Sequence, residues 1–192
     1  MFKMMGRGYA TFALLLSLTC LSPASAQTFT GNTAGQPTYQ RTLGGTPPTG
    51  LSGIGTAVPY QTFGFTTSVS GSYAFEVTAG YDNFLSLYQN AFNPANALSN
   101  VLVSNDDNPT IGLSGFTRNL TNGTQYFLVS TGYSNTDFGT FNGVVTGPAA
   151  LNFAGVAAVP EPAAWALLIL GFGAIGSTLR RNRRARPTPA IA

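Results

Sequence analysis

Short segments in which apolar and polar residues alternate place the tightest limit on how this chain can fold. In residues 73–78, for example, Tyr73, Phe75 and Val77 alternate with smaller or polar residues. A period of two is typical of a strand that buries one face. Similar segments occur at Tyr60–Thr67, Phe84–Tyr88, Val101–Ser104, Ser114–Leu120, Gln125–Thr131 and Gly139–Thr146. The pattern predicts an all-β domain that folds as an antiparallel β-sandwich or jelly roll.

Turn residues between these segments predict how the strands connect. Ser70-Gly71 separates Tyr60–Thr67 from the strand at Tyr73, and Asn122-Gly123 separates Ser114–Leu120 from Gln125–Thr131. Asn-Gly favours the positive φ angles of tight turns, and the Ser70-Gly71 pair is also a turn signal. Both places are therefore predicted to be β-hairpins.

The two flanks of this strand series have weaker patterns. Residues 27–59 show little sustained periodicity; Thr38–Leu43 is a candidate edge strand, and the Gly- and Pro-rich stretch 31–55 is expected to be partly loose. Residues 147–158 are rich in Gly, Ala and Pro and indicate a linker, unless a last strand forms at Ala150–Phe153.

The N-terminus has the pattern of a secretory signal peptide. Lys3 and Arg7 form a basic region, and the apolar residues 9–21 lead to Ala24-Ser25-Ala26. Signal peptidase recognises small residues at the positions of Ala24 and Ala26, so we predict a signal peptide at 1–26 with cleavage after Ala26. An apolar stretch of 13 residues is short for a retained membrane helix.

Near the C-terminus, an uncharged apolar run ends in a cluster of basic residues. The 17 residues from Ala163 to Leu179 contain no charge, and as a helix they span about 25 Å, enough for a thin membrane. The cluster consists of Arg180, Arg181, Arg183, Arg184 and Arg186. Because arginine is costly in the bilayer and positive charge is retained in the cytoplasm, we predict a transmembrane helix at 163–179 and a cytoplasmic tail at 187–192.

A proline-containing octapeptide directly precedes and enters this helix. It reads Val159-Pro160-Glu161-Pro162-Ala163-Ala164-Trp165-Ala166. With the helix and the arginines it resembles the PEP-CTERM sorting signal of Gram-negative bacteria, in its PEPxxWA variant. The resemblance implies a sorting segment at 156–186, with motif 159–166, that an exosortase recognises and cuts near Pro160-Glu161-Pro162, with Trp165 and Ala166 completing the motif. The alternative is an ordinary tail anchor whose prolines break the helix.

The charge of the chain is concentrated in these two ends. The net charge is +3, but residues 27–159 contain only Arg41 and Arg118 against five acidic side chains, a formal charge of −3. That region has no basic patch, which argues against nucleic-acid binding. It contains no Cys, and the chain contains no His, which leaves no base for serine-hydrolase chemistry and no disulfide framework. We therefore expect one non-enzymatic domain, residues 27–155.

The few acidic residues of the body are the candidates for a metal site. Asp82, Asp106 and Asp107 lie beside Asn residues, and carboxylate and carbonyl oxygens are the ligands that calcium prefers. No EF-hand spacing is present. The alternative is that these residues cap turns through their own backbone, so that no cofactor is bound.

The body also resembles the bacterial pre-peptidase C-terminal domain, a β-sandwich found beside secreted proteases. The residues that carry this resemblance are 81–88 (YDNFLSLY), 104–107 (SNDD), Leu120 with 123–129 (GTQYFLV), and 139–141 (GTF). No peptidase domain accompanies them, so the resemblance bears on the fold rather than on an activity.

Together these features predict an exported protein with no enzymatic activity. Its precursor is expected in the inner membrane with the C-terminus in the cytoplasm, with signal peptidase and an exosortase as partners. The mature domain is then a cell-surface or extracellular-matrix component. The alternative is a carbohydrate-binding module for exopolysaccharide, whose sugar-stacking residues are Tyr81, Tyr88, Phe92, Tyr133 and Phe138.

Overall fold

The computed structural model describes residues 24–154, together with the helical residues Ile169, Phe172 and Arg180. Residues 24–154 form strands and turns. The strands are β1 (Ser25–Asn32), β2 (Thr38–Tyr39), β3 (Val58–Thr67), β4 (Gly71–Ala79), β5 (Asn83–Gln89), β6 (Val101–Asn105), β7 (Leu113–Leu120), β8 (Tyr126–Gly132), β9 (Thr140–Gly147) and β10 (Leu151–Phe153).

These strands form two antiparallel sheets that pack face to face. The four-stranded sheet has the order β1-β9-β4-β7, and the six-stranded sheet has the order β10-β3-β8-β5-β6, with β2 pairing to β3. One hydrophobic core contains buried residues from both sheets, among them Phe75 of β4 and Leu85 of β5. The predicted all-β antiparallel sandwich is confirmed.

Strand β9 shows how the alternating pattern builds the four-stranded sheet. Its residues are exposed and buried in strict alternation, with Phe141 and Val145 facing the core. Gly143 also faces inward, where an added Cβ would lie 2.1 Å from the Phe29 ring. The glycine therefore lets the aromatic ring of β1 approach the backbone of β9.

Aromatic rings join the two sheets across the core. Phe65 of β3 and Phe75 of β4 have ring centroids 5.8 Å apart, and Phe29 of β1 lies 4.9 Å from Phe63 of β3 in an edge-to-face arrangement. Such pairs contribute about 0.5–1.5 kcal/mol beyond the burial of their area.

A covering segment, residues 33–57, packs on the outer face of the six-stranded sheet. There Tyr39 joins a second hydrophobic cluster with Tyr88 and Val129. Thr42 hydrogen-bonds Ser104 of β6 through their hydroxyls at 2.9 Å. Arg41 and Thr42 are buried, so the looseness expected for residues 31–55 is wrong.

Both predicted hairpins are wrong, although the turns exist. Strands β3 and β4 lie in different sheets, and so do β7 and β8. Gly123 has the expected positive φ of 72°. The turn residues mark where the chain reverses direction, but they do not determine whether the next strand joins the same sheet. Phe65 of β3 and Phe75 of β4 pack against each other across the core, so this turn connects the two sheets.

The weak flanks also differ from expectation. No strand is predicted before Thr38, yet β1 pairs along its whole length with β9. Its pattern is weak because Phe29 is its one large apolar residue. The candidate edge strand Thr38–Leu43 shortens to Thr38–Tyr39, and the last-strand alternative for the linker is realised as β10.

Candidate functional site

Two neighbouring strands bring the candidate calcium ligands together at one end of the sandwich. Asp82 directly precedes β5, and Asp106 and Asp107 directly follow β6. Because β5 and β6 are antiparallel, with Leu85 opposite Asn105, the start of one strand meets the end of the other. One carboxylate oxygen from each of the three residues lies within 4.8 Å of the others. We call these three side chains the acidic cluster.

The acidic cluster contains buried oxygens that lack protein partners. Oδ1 of Asp82 and Oδ1 of Asp106 are buried and accept no hydrogen bond among the described residues. Both residues are half-buried, whereas Asp107 is exposed. A buried carboxylate oxygen without a donor costs free energy unless another ligand compensates it.

Backbone hydrogen bonds fix the loops that hold these acids. The amide of Tyr133 donates to the carbonyl oxygen of Asp82 at 2.8 Å, and the amide of Gly115 donates to Oδ1 of Asn105 at 3.1 Å. The amide of Asn108 donates to the carbonyl oxygen of Leu113 at 2.6 Å. The loops after β6 and β8 are therefore tied to the sandwich beside the acidic cluster.

Burial and mutual repulsion make the carboxyls weaker acids than usual. Burial, followed by the neighbouring charges of Asp82 and Asp107, raises the pKa of Asp106 to about 6. Burial, followed by Asp107 and Asp137, also raises the pKa of Asp82. Arg41 opposes both shifts, but its effect on each pKa is smaller than that of burial and that of Asp107.

Arg41 is a buried cation that connects the covering segment to this end of the sandwich. It is 2% exposed, and its guanidinium lies 4.2 Å from the ring centroid of Phe84 and 4.5 Å from that of Tyr133. Its Nε donates to the carbonyl oxygen of Tyr133 at 2.8 Å, and Nη1 donates to that of Thr42 at 2.9 Å. Burial lowers the pKa of Arg41.

The sequence does not predict this role for Arg41. The signal was available, since Arg41 and Arg118 are the two basic residues between positions 27 and 159. A basic residue in so neutral a stretch suggests a specific partner, but the sequence does not show that Phe84 and Tyr133 flank it.

The donor set of the acidic cluster fits a hard cation. Three close carboxylates, two of them with unpartnered buried oxygens, offer the oxygen ligands of calcium. Asp137 differs, because its Oδ2 accepts hydrogen bonds from the amide and hydroxyl of Ser134 at 2.8 and 2.6 Å. Asp137 therefore caps a turn, which is the role that the alternative to calcium binding assigns to the acidic residues. Oδ1 of Asp82 and Oδ1 of Asp106 have no such partner among the described residues.

Four of the five aromatic residues proposed to stack on sugars make contacts within the protein. Tyr88 is fully buried, so its assignment as an exposed sugar contact is wrong. The ring centroids of Phe92 and Tyr88 are 4.7 Å apart, and the guanidinium of Arg41 lies over the ring of Tyr133. The hydroxyl of Tyr81 hydrogen-bonds that of Thr33 at 3.3 Å. Phe138, at 48% exposed, is the member of this set with a largely free ring.

The predicted processing sites lie at or beyond the limits of the described region. Ala24 is exposed, and Ala26 belongs to β1, opposite Thr146. The predicted cleavage after Ala26 therefore falls inside β1. Pro160, Glu161, Pro162, Trp165 and Ala166, and all the clustered arginines except Arg180, lie outside the described residues. Among the residues described, no helix has the length and apolar character needed to span a membrane.

Comparison with known proteins bears on the C-terminal segment and on the body separately. Residues 158–184 match the family model for the PEP-CTERM protein-sorting motif, which confirms the predicted signal. The motif implies export, membrane anchoring before processing, and an exosortase as the processing partner.

The body has a structural counterpart of low sequence identity. It is similar to the crystal structure of the pre-peptidase C-terminal domain of a collagenase from Bacillus anthracis, at 16% identity and a TM-score of 0.39. The match covers 62% of this chain and 87% of that one. A comparison with curated protein sequences finds no match.

Proposed function

We propose that this chain, as the carrier of a PEP-CTERM sorting motif, is a non-enzymatic surface or extracellular-matrix component of a Gram-negative bacterium. The observation that carries the proposal is the motif at 158–184, placed directly after a β-sandwich. In this proposal the β-sandwich is the part that is exported, and the C-terminal segment is the substrate that an exosortase cuts. The absence of His from the sequence supports a structural role, because histidine is the commonest general base.

Mass spectrometry of exported protein tests this proposal. The mature chain is expected to begin at Gln27 and to end near Pro160–Pro162. Replacing Pro160 and Pro162 with Ala together should leave a chain that keeps its C-terminus in the membrane fraction, because the extended peptide that the protease reads is lost. Pro148→Ala, in the loop before β10, is the matched control and should be processed normally. Exported material that retains Ala192 would contradict the proposal.

The acidic cluster supports a second proposal, that calcium binding stabilises the sandwich. Asp82, Asp106 and Asp107 would hold the ion, which would compensate the two unpartnered oxygens and the repulsion among the carboxylates. Calcium at a hundred times its Kd would add about 2.7 kcal/mol to the free energy of unfolding.

Thermal unfolding with calcium or with a chelator measures this effect. Calcium should raise the Tm of the parent protein and leave that of Asp106→Ala nearly unchanged. Glu76→Ala removes an acidic residue outside the cluster and should retain the calcium response. An unchanged parent Tm in calcium and in chelator would exclude the ion.

Exopolysaccharide binding remains the alternative role for the domain. Phe138 is its best-placed aromatic contact, since the other four candidates pack within the protein or hydrogen-bond it. Binding to a glycan array that Phe138→Ala abolishes would favour this role over a purely structural one.

A further inference from the structure

Among the described residues, the sheets end in strands that differ in how well their free edges are protected. β2 and β10 are short, with two and three residues, and Pro37 precedes β2. β6 leads directly into Asp106 and Asp107, and β7 contains Arg118. Short length, proline and charge are the usual features that prevent edge-to-edge pairing. β1 has eight residues, no charge and no proline.

The geometry of β1 leaves alternate backbone groups facing away from its partner strand. The amide of Thr33 donates to the carbonyl oxygen of Gly139, whereas the amide of Asn32 donates to Oε1 of Gln61. Residues of one parity therefore bond to β9, and those of the other parity face outward. The register with β9 is continuous from Ser25 to Asn32, so this parity holds along the strand. Thr28 and Thr30 thus present their N–H and C=O groups at the free edge.

The side chains of this edge also suit strand pairing. Ala26, Thr28 and Thr30 are exposed and are small or β-branched. β-Branched residues fit cross-strand pairs on a pleated surface, and no like charges oppose one another when two such strands meet. A bulge, which would bend the edge away, is absent from the β1–β9 ladder.

We propose that β1 is a homophilic interaction edge that pairs antiparallel with β1 of a second copy of this chain. With a two-fold axis at Phe29, Thr28 of each copy lies opposite Thr30 of the other, and each such pair exchanges both N–H···O bonds. The two four-stranded sheets then become one continuous sheet. This inference deepens the structural role proposed above and rests on it.

Removal of the leader is compatible with this register. Cleavage after Ala26 would shorten β1 to residues 27–32, and Thr28 and Thr30 would both remain. The pairing centred on Phe29 therefore needs no residue that the signal peptidase removes.

Proline substitution at the free edge gives a sharp test. The N–H of Thr28 faces away from β9, so Thr28→Pro removes an intermolecular donor without removing a hydrogen bond of the ladder. Thr30→Lys places a charge opposite Thr28 of the other copy, and the two lysines of a dimer lie diagonally across the two-fold axis as like charges. Each variant should lower the association constant for dimerisation of the full-length chain in detergent micelles by at least about tenfold. Sedimentation velocity over a range of concentrations measures this constant.

Two controls separate edge pairing from other effects. Thr28→Val keeps the N–H, and Thr146→Lys places the same charge on β9, one strand in from the edge; both should dimerise like the parent. Near-ultraviolet circular dichroism checks that each variant is folded, and Thr30→Lys decides the question if Thr28→Pro unfolds. A parent chain that is monomeric, or a dimer that Thr28→Pro and Thr30→Lys leave intact, would overturn the inference. Thr28 and Thr30 are far from residues 158–184 in the sequence. Normal C-terminal processing together with a failed dimer test would therefore reject the β1 pairing and leave the proposed sorting intact.

Discussion

The outer faces of the two sheets differ in what covers them. No residue that the structure describes covers the outer face of the four-stranded sheet, which we call the bare face; its exposed residues are mostly Thr, Ser and Asn, with Glu76 as an acidic member. On the six-stranded sheet the covering segment hides the outer face, and β5 is buried over six of its seven residues. Strands of the sheet with the bare face have alternating sequence patterns, because one of their faces meets solvent. Strands buried on both faces, such as β5, have a nearly continuous run of buried residues instead.

Truncating one residue on each face is the strongest test of this difference. Tyr88 lies on the covered face, where it is fully buried and its hydroxyl donates to the carbonyl oxygen of Ala97 at 3.0 Å. Tyr88→Ala should lower the free energy of unfolding by about 3–5 kcal/mol, as for other large aromatic truncations. Val144→Ala on the bare face should stay within about 0.5 kcal/mol of the parent. Urea denaturation measures both, and equal losses would show that the faces do not differ.

Arg41→Met tests what holds the covering segment down. The substitution leaves the part-buried carbonyl oxygen of Tyr133 and the buried one of Thr42 without their Arg41 donors, at a cost of about 1–3 kcal/mol for each buried group left unpaired. Arg118→Met, in β7, removes the other basic residue of the body and should change the free energy of unfolding by less than about 0.5 kcal/mol. If the two variants unfold at the same urea concentration, Arg41 does not anchor the segment.

The fit between Arg41 and the backbone above it can be tested by adding one methyl group. An added Cβ at Gly55 would lie 2.6 Å from Nε of Arg41, whereas one at Gly53 would have no atom within 4 Å. Gly55→Ala should destabilise the protein by about 1–3 kcal/mol through overpacking. Gly53→Ala should be neutral or slightly stabilising, because alanine reduces the entropy of the unfolded chain. Thermal unfolding of this matched pair decides whether the contact is tight.

The smallest predicted effect is a pH dependence at the acidic cluster. The pKa of Asp106 is about 6 in the folded protein against an ordinary value of 3.8, so the folded state binds the proton more tightly. The parent should therefore lose stability as pH rises from about 4 to about 6. In chelator, Asp106→Asn should be more stable than the parent above pH 6 and should lose this advantage near pH 4. An advantage of Asp106→Asn that is the same at pH 4 and above pH 6 would contradict the raised pKa of Asp106.

Sequence patterns predict the bare sheet better than the covered one. The alternation in β4 identifies its inward residues correctly, because one face of the strand meets the core and the other meets solvent. The pattern does not reveal β1, where Gly31 and Gln27 share the inward face with Phe29. Nor does it show which sheet a strand joins, since that depends on contacts such as Phe65 with Phe75.

The acidic cluster is predictable in composition but not in geometry. The sequence identifies Asp82, Asp106 and Asp107, and the strands predicted at Phe84–Tyr88 and Val101–Ser104 place them near strand ends. Their proximity depends on the pairing of β5 with β6, which joins residues far apart in the sequence. The burial that raises the pKa of Asp106 comes from the packed fold and has no local signal.

The pairing of β1 with β9 sets the order in which the domain can close during export. Gln27 of β1 accepts a hydrogen bond from the amide of Leu151, 124 residues later in the sequence. At synthesis rates of about 5–20 residues per second, roughly 6–25 seconds separate the appearance of the two residues. The partner strand of β1, β9, is complete only at Gly147, so β1 has no complete partner strand during nearly all of that interval. The predicted cleavage after Ala26 would therefore take place on a chain in which β1 is still unpaired, before β9 and β10 are complete.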